Sequence, residues 1–322
     1  MRRVSFLVIL VTVVAFVPGL VCTALGFKAA AGVAAIGAVS GMSGAVRGGW
    51  RIGLRASLAT GIASALAVLA VHSAWAAFLV FLLIGLRLAI AGANGLWPAY
   101  VLVPISAGFV LGEDPSVSGN LLLDALVVGL ILAGSGVFAV LVTHVAIRER
   151  TIPRSAALTR SRALAFGLTL GVLLGIAAAI VVQFQLGHTG AWVILTVSII
   201  VQPYLQDGFA KALQRAGGTL LGLVIAVGIA IIIPSTPVIY TVAVIASILA
   251  MLFMVEQRPY WIYATALTIA IVGLEGASTS ILGTARDRFL ATLIGAGLSL
   301  AAIAILLPFA RRKAHESGIT HY

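Results

Sequence analysis

Apolar stretches of about 20 residues follow one another along almost the whole chain, and this continuity leaves few folds open. Only 9% of the 322 residues are charged, 61% are hydrophobic, and the mean hydropathy is +1.18. Backbone groups in hydrocarbon must bond within the protein, so the candidates are helices or a closed barrel. Runs such as 4–17 and 177–182 lack the alternation of barrel strands. The sequence therefore predicts an all-α membrane protein.

Polar breaks between the apolar stretches predict about twelve transmembrane helices, six in each half. The predicted spans are 4–22, 26–45, 50–71, 74–91, 96–111, 121–145, 163–184, 190–205, 211–233, 237–254, 259–275 and 284–308. We divide the chain into a first six-helix repeat (1–145), a basic cytoplasmic linker (146–162), a second six-helix repeat (163–310) and a cytoplasmic tail (311–322). No A-x-A-like cleavage site follows the first apolar run, so we expect it to be a retained helix.

Charged positions recur between the two halves at nearly constant offsets. The pairs, first half before second, are Arg47 and Asp207, Arg51 and Lys211, Arg55 and Arg215 at an offset of 160, and Asp124 and Asp287 at an offset of 163. Because the chain has few charges, their recurrence predicts a duplicated architecture. Duplicated bundles embedded in a membrane are typical of solute pathways.

The distribution of positive charge predicts the orientation in the membrane. With the N-terminus in the cytoplasm and twelve crossings, all but three of the 20 arginine and lysine residues fall on the inner side. The exceptions are Lys28, Arg286 and Arg288. We therefore predict a multi-pass protein of the inner (plasma) membrane with both termini cytoplasmic and the two repeats parallel. The net charge of +11 indicates contact with the lipid bilayer rather than with nucleic acid.

Two arginines lie deeper in apolar sequence than the cations beside them. Arg55 and Arg215 each end a charged ridge with i, i+4, i+8 spacing, which places its members on one helix face. Each lies one turn beyond its neighbour in the ridge, Arg51 or Lys211. Two interpretations stay open: anchors that reach to the headgroups, or cations that line a path for anions. On the second interpretation both bind the substrate.

Three acidic residues near predicted outer helix ends are candidates for proton coupling: Asp124, Asp287 and Glu275. Acids inside a membrane are costly, which makes each a functional candidate. For the two aspartates, a favourable position near a helix N-terminus is an alternative explanation. Asp287 could also simply neutralise Arg286 and Arg288, which flank it.

The chain offers little for covalent or metal chemistry. The single cysteine, Cys22, excludes an internal disulfide and a cysteine-based metal site. The histidines at 72, 144 and 188 show no metal-ligand spacing, and no nucleotide-binding loop of the G-x-x-x-x-G-K-[ST] kind occurs. Without a nucleophile–base pair, we predict no metal, no cofactor and no enzymatic activity.

One motif in the second half is distinctive. It consists of a helix led by Trp192, the pair Gln202-Pro203, and the run Arg215-Ala216-Gly217-Gly218-Thr219-Leu220-Leu221-Gly222, followed by Arg258-Pro259-Tyr260-Trp261 and Arg286-Asp287-Arg288. This pattern resembles the fusaric acid resistance (FUSC) family, also called aromatic acid exporters. The resemblance covers about 163–308 and is degenerate in the first half. It implies a multi-helix efflux transporter, often for aromatic or other organic carboxylates.

The residues of this motif also have physical interpretations of their own. Gly218 and Gly222 form a small-xxx-small pair that lets two helix backbones approach closely. Gln202 can partner the carbonyl groups that the following proline leaves free. Trp192 and Trp261 are typical of an interfacial belt, or alternatively stack on an aromatic solute. We therefore count Gln202 and both tryptophans among the candidate substrate-binding residues.

The function predicted from these features is a secondary-type transporter that exports organic anions, plausibly aromatic carboxylates, with proton coupling as one mechanism. Substrate class and direction follow from the resemblance. The alternatives are a passive organic-anion channel and a non-transporting membrane scaffold. The expected partners are the lipid bilayer and a small organic anion, and a homo-oligomer stays open.

Overall fold

The structure is a computed structural model that describes residues 2–27, 31–113, 118–146, 155–203, 205–276 and 280–317. All regular secondary structure in these ranges is α-helical. The helices are α1 (Arg2–Ala24), α2 (Ala31–Gly48), α3 (Trp50–Leu69), α4 (Ala74–Ala93), α5 (Trp97–Tyr100), α6 (Leu102–Glu113), α7 (Leu121–Ala146), α8 (Arg160–Gln183), α9 (Gly187–Ile200), α10 (Leu205–Ile232), α11 (Thr236–Val255), α12 (Tyr260–Gly276) and α13 (Ile281–Ser317).

The helix count agrees with the sequence. α5 is a single turn that leads through Val101 into α6, and together they occupy the predicted span 96–111. Counted as one, they bring the described helices to twelve, so the prediction of an all-helical protein with about twelve helices is confirmed. α13 continues past the predicted span to Ser317, and most of the predicted linker lies outside the described residues.

Many of the described helices have the length and composition of a membrane span. Seven are long and apolar enough to cross a bilayer: α3, α4, α7, α8, α10, α11 and α13. The apolar segments Ile9–Ala24, Trp97–Glu113, Gly187–Ile200 and Tyr260–Gly276 are shorter. Large apolar side chains such as Trp75, Leu130 and Ile232 are exposed on the surface, as contact with lipid requires. The chain is thus a multi-pass membrane protein in contact with the bilayer.

The end of α9 shows how the sequence stops a helix inside this apolar environment. α9 ends at Ile200, and Val201 turns to an extended backbone, because the nearby Pro203 has no N–H with which to continue the helix. The side-chain amide of Gln202 donates to the carbonyl oxygen of Ile199 at 2.6 Å. Gln202 therefore partners one of the carbonyl groups that a helix end leaves free.

The two halves of the chain are joined along α4 and α8. These helices cross in close contact because glycines face each other at the crossing. A Cβ placed on Gly167 would lie 2.6 Å from the carbonyl oxygen of Gly85, and one placed on Gly175 would lie 2.8 Å from that of Phe78. α6 of the first half also packs against α9 of the second. Helices of the first half therefore cover part of the interior of the second half.

Helix pairs that pack together in the first half have counterparts in the second. α2 packs on α1, α3 and α7, and α3 also packs on α6 and α7. In the second half α9 packs on α8, α10 and α13, and α10 also packs on α12 and α13. The contact of α4 with α8 has its counterpart in that of α11 with α1. This recurrence supports the arrangement of two parallel repeats, which stays a proposal.

Parallel repeats predict that the α3–α4 and α10–α11 connections lie on the same, outer face of the membrane. In a Cys22→Ser background, His72→Cys and Ser235→Cys should both react with a membrane-impermeant maleimide on intact cells. Glu256→Cys, which follows α11 at its other end, should react only after lysis. If one of the two outer positions were labelled and the other protected, the halves would be antiparallel.

Candidate functional site

Two arginines lie in the interior of the second half. Arg215 on α10 is 0% exposed and Arg288 on α13 is 1% exposed, and they are the largest fully buried side chains in the described part of the protein. Removing an ion from water costs several kcal/mol unless protein groups replace the lost hydrogen bonds. The partners of these two guanidinium groups therefore decide what the site can do.

Arg215 is held where α10 and α12 cross closely. A Cβ placed on Gly218 would lie 2.6 Å from the carbonyl oxygen of Trp261, and one on Gly222 would lie 2.7 Å from that of Thr265. The backbone of α12 therefore presses directly on this face of α10. Nη1 of Arg215 donates to the hydroxyl oxygen of Tyr260 at 3.1 Å. Its Nε and Nη2 atoms have no hydrogen-bond partner among the described residues.

Arg288 is held by an aromatic face rather than by an acid. Its Cζ atom lies 3.7 Å from the centroid of the Trp192 ring, which is close cation–π geometry. Phe109 of α6 meets that indole edge-on, with ring centroids 4.5 Å apart, and so orients it. None of the three guanidinium nitrogens of Arg288 has a hydrogen-bond partner within the described ranges.

Arg215, Arg288, Trp192 and Tyr260 form what we term the arginine cluster. The two guanidinium groups are close enough to interact electrostatically, and both act on the phenols of Tyr260 and Tyr263. Together they leave five buried nitrogens without an acceptor in the described structure. Two like charges that share unfilled donors create a strong preference for an anion between or beside them.

A pocket of about 270 Å³ leads to this cluster. It is formed by the beginnings of α9 and α13 and the end of α12, and its lining residues are His188, Thr189, Trp192, Glu275, Thr284, Asp287 and Arg288. Under the predicted orientation these helix ends lie on the outer side. An anion in the pocket therefore meets Arg288 before Arg215.

Charged groups also stand around the pocket. His188 Nδ1 lies 3.5 Å from Glu113 Oε1, an ion pair between α9 and α6 when the imidazole is protonated. Glu275 interacts electrostatically with His188 and Arg288. Asp287 pairs with Arg286, with Nε and Oδ1 3.4 Å apart, so at least one carboxyl of the pocket is engaged by an outward-lying cation.

On the other side of the cluster a third cation follows. Nζ of Lys211, one turn before Arg215 on α10, lies 4.7 Å from the centroid of the Tyr260 ring. The order Lys211, Arg215, Arg288 thus runs from near the start of α10 to near the start of α13. In the predicted orientation these two starts lie on opposite sides of the membrane, so the three cations are distributed across the second half.

The other predicted site residues lie in different surroundings. Trp261 is 44% exposed, and it is its backbone carbonyl that faces Gly218. Asp124 is buried in the first half and accepts from Ser118 N at 2.6 Å and from Ser118 Oγ at 2.8 Å, which fixes the approach to α7. Glu275 and Asp287 both line the pocket beside Arg288.

Arg55 has a partner corresponding to that of Arg215 but a different exposure. Tyr100 stands at an offset of 160 from Tyr260, and Arg55 acts electrostatically on its hydroxyl. Arg55 is nevertheless exposed on the surface of the chain. With the offset of 163 that relates the two aspartates, Ala125 stands where the second half has Arg288. The first half therefore contains no counterpart of the arginine cluster among its described residues.

Arg288 is the residue that sequence reasoning missed, because it stands with Arg286 and Asp287 at the polar, outer start of the last predicted helix. One signal could have found it. Arg288, Thr292 and Ser299 stand at i, i+4 and i+11, on one face of an otherwise apolar helix, and all three are buried. A polar stripe of this kind indicates a face directed at the interior of a bundle.

Comparison with known proteins locates a family match over the same region. Residues 176–302 match a family model described as fusaric acid resistance protein-like, and this confirms the resemblance for that segment. The match includes all four residues of the arginine cluster. It supports a role in membrane transport or resistance rather than in catalysis. No curated protein and no solved structure matches the chain.

Proposed function

We propose that this chain, fusaric acid resistance protein-like over residues 176–302, is a secondary-type transporter of organic anions, with the arginine cluster as its anion-binding site. The observation that carries the proposal is the burial of Arg215 and Arg288 with five donor nitrogens unfilled in the described structure. A carboxylate supplies acceptors for such donors in charge-assisted, bidentate geometry.

The surroundings favour a carboxylate that carries an apolar or aromatic group. The indole of Trp192 and the ring of Tyr260 flank the two cations, and Phe109 packs edge-on against that indole. A ring that enters with its carboxylate on Arg288 can contact these aromatic surfaces. A small, strongly hydrated inorganic anion gains only the charge interaction, so organic anions should be preferred.

Direction and energy coupling belong to the proposal as well. The predicted cytoplasmic concentration of cations would attract anions to the inner mouth near Lys211, and the pocket beside Arg288 would release them outside. Export therefore fits both the charge distribution and the family description. Asp287 and Glu275 at the pocket are the proton-coupling candidates that stand nearest the route.

A passive anion channel is the second candidate, and the series Lys211, Arg215 and Arg288 favours it. Successive cations let an anion move from one to the next without a change of conformation. The two candidates differ in coupling: a channel carries anions only down their electrochemical gradient, whereas a coupled transporter drives them uphill with a pH gradient.

Flux measurements on purified protein in liposomes should separate these functions. We expect efflux of aromatic carboxylates and dicarboxylates, saturable in the anion, with no efflux of a neutral sugar. Accumulation against a gradient when a pH difference is imposed would support the coupled transporter, and flux that follows only voltage would support the channel. Absence of flux for every anion would contradict both the transporter and the channel, and would favour the non-transporting membrane scaffold.

A further inference from the structure

The pocket places an acid beside a cation that has no hydrogen-bonded partner. Arg288 lines the pocket and is almost wholly buried, yet none of its nitrogens is bonded within the described part of the chain. Glu275, at the end of α12, lines the same pocket and acts on Arg288 electrostatically. The carboxylate thus weakens the positive field of Arg288 without occupying its hydrogen-bonding positions.

We propose that Glu275 is a charge competitor for the anion at Arg288, so that a proton on Glu275 strengthens anion binding and its loss weakens it. The inference rests on the proposed function, since it assigns a role to a residue beside the same site. When Glu275 is ionised, its negative charge lowers the net positive charge that acts on the substrate. When Glu275 is protonated, the full charge of Arg288 acts on the substrate carboxylate.

The groups around Glu275 tune this competition. His188 on α9 faces Glu275 and pairs with Glu113 on α6, which also acts electrostatically on Glu275. α13 contributes three charged groups, which are Arg288 and the ion pair of Asp287 with Arg286. α11 carries Tyr240 near the same end of the bundle, and α10 has no titratable residue in its final turns. Within this group, Glu275 is the carboxylate that interacts electrostatically with Arg288.

Because Glu113 belongs to the first half and Glu275 to the second, this acidic group also bridges the two halves. The imidazole of His188 interacts electrostatically with both carboxylates. Protonation of His188 adds positive charge to the mouth and favours the anion in the same direction. The separate contributions of Glu275 and His188 therefore have to be distinguished by their variants.

The test is anion binding to the purified full-length protein in detergent, measured by calorimetry and by thermal shift with benzoate, malate and phosphate as probes. Measurements are made at about pH 5 and at about pH 8, because any carboxyl group is more protonated at the lower pH. We expect the wild type to bind benzoate at least about fivefold more tightly at the lower pH, the size of a typical coupling between sites. Glu275→Gln should bind more tightly than the wild type at the higher pH and should lose most of the pH dependence.

Two variants serve as controls. Asp287→Asn removes the same charge from the same pocket, but Arg286 already neutralises that carboxylate, so its effect should be clearly smaller. His188→Gln should retain most of the pH dependence. If Asp287→Asn matched Glu275→Gln, or if His188→Gln removed the dependence while Glu275→Gln kept it, the inference would be overturned.

The outcomes also separate this inference from the proposed function. Binding that is equal at both pH values in the wild type and in Glu275→Gln, but lost in Arg288→Met, would overturn the role of Glu275 and leave the anion site standing. Failure of the wild type to bind all three probes at either pH would overturn the anion site and the role of Glu275 together.

Discussion

Arg288→Met is expected to lower anion flux by roughly thirtyfold or more, since losing one partner of a buried charged interaction costs about 2–5 kcal/mol. Methionine has a similar length and no charge, so the variant removes the donors without leaving a large cavity. Arg288 has no hydrogen-bonded acceptor in the described structure. The flux of purified variants in liposomes, normalised to reconstituted protein, measures the effect.

The same substitution should not destabilise the empty protein. An unpaired buried ion is unfavourable, and replacing buried charge by apolar groups of similar size is often neutral or stabilising by about 1–4 kcal/mol. We therefore expect the thermal midpoint of Arg288→Met in detergent to equal or exceed that of the wild type. A residue kept for structure would show the opposite, with a lowered midpoint.

Arg286→Met provides the matched control for this prediction. It removes the same charge two residues earlier on α13, from a side chain that is 76% exposed and paired with Asp287. We expect its flux to stay within about twofold of wild type, because exposed ion pairs contribute little. Equal loss of flux in the two variants would mean that the positive charge of the segment, and not the position of Arg288, matters.

The class of fold follows directly from composition, but the burial of individual charges does not. Continuous apolar stretches leave helices as the solution, and the polar breaks place most of their ends close to the observed ones. Arg55 and Arg215 have the same spacing and the same depth along the sequence. The structure exposes the first and buries the second, because burial depends on which helix covers the face that carries the residue.

Small residues beside the arginine are the local difference between these two faces. Gly218 and Gly222 lie against the backbone of α12 in the second half. At the offset of 160 the first half has Leu58 and Ile62, which are 54% and 63% exposed. Large residues at these positions prevent the close crossing, so this face of α3 points outward and takes Arg55 with it. The difference between small and large residues is present in the sequence, but it becomes apparent only when the two halves are aligned with each other.

The assembly of the pocket could not be predicted in the same way. Glu113, His188 and Glu275 stand on three different helices and are far apart in the chain. Their meeting depends on how α6 packs against α9, a contact between the halves that no repeat in the sequence specifies. Trp192 likewise becomes a partner of Arg288 only because α9 and α13 pack side by side.

Gly218→Leu, which introduces the residue of the first half, is expected to destabilise the second half strongly. A Cβ at this position would already lie 2.6 Å from the carbonyl oxygen of Trp261 and 2.8 Å from the Cβ of Ala264. Backbone atoms cannot yield as a flexible side chain does, so α12 must move away from α10. Overpacking of this kind costs about 1–3 kcal/mol or more, and a leucine adds three further carbons to the clash.

The neighbouring glycine separates this packing requirement from a general effect of glycine in a membrane helix. A Cβ on Gly217 would meet nothing within 4 Å, because that residue faces outward on the same turn of α10. Gly217→Leu should therefore fold normally and gain up to about 1 kcal/mol from the higher helix propensity of leucine. Monodisperse elution and the thermal midpoint in detergent measure both variants. If Gly218→Leu were as stable as Gly217→Leu, α10 and α12 would not cross closely in the membrane, and the burial of Arg215 that depends on that crossing would be lost with it.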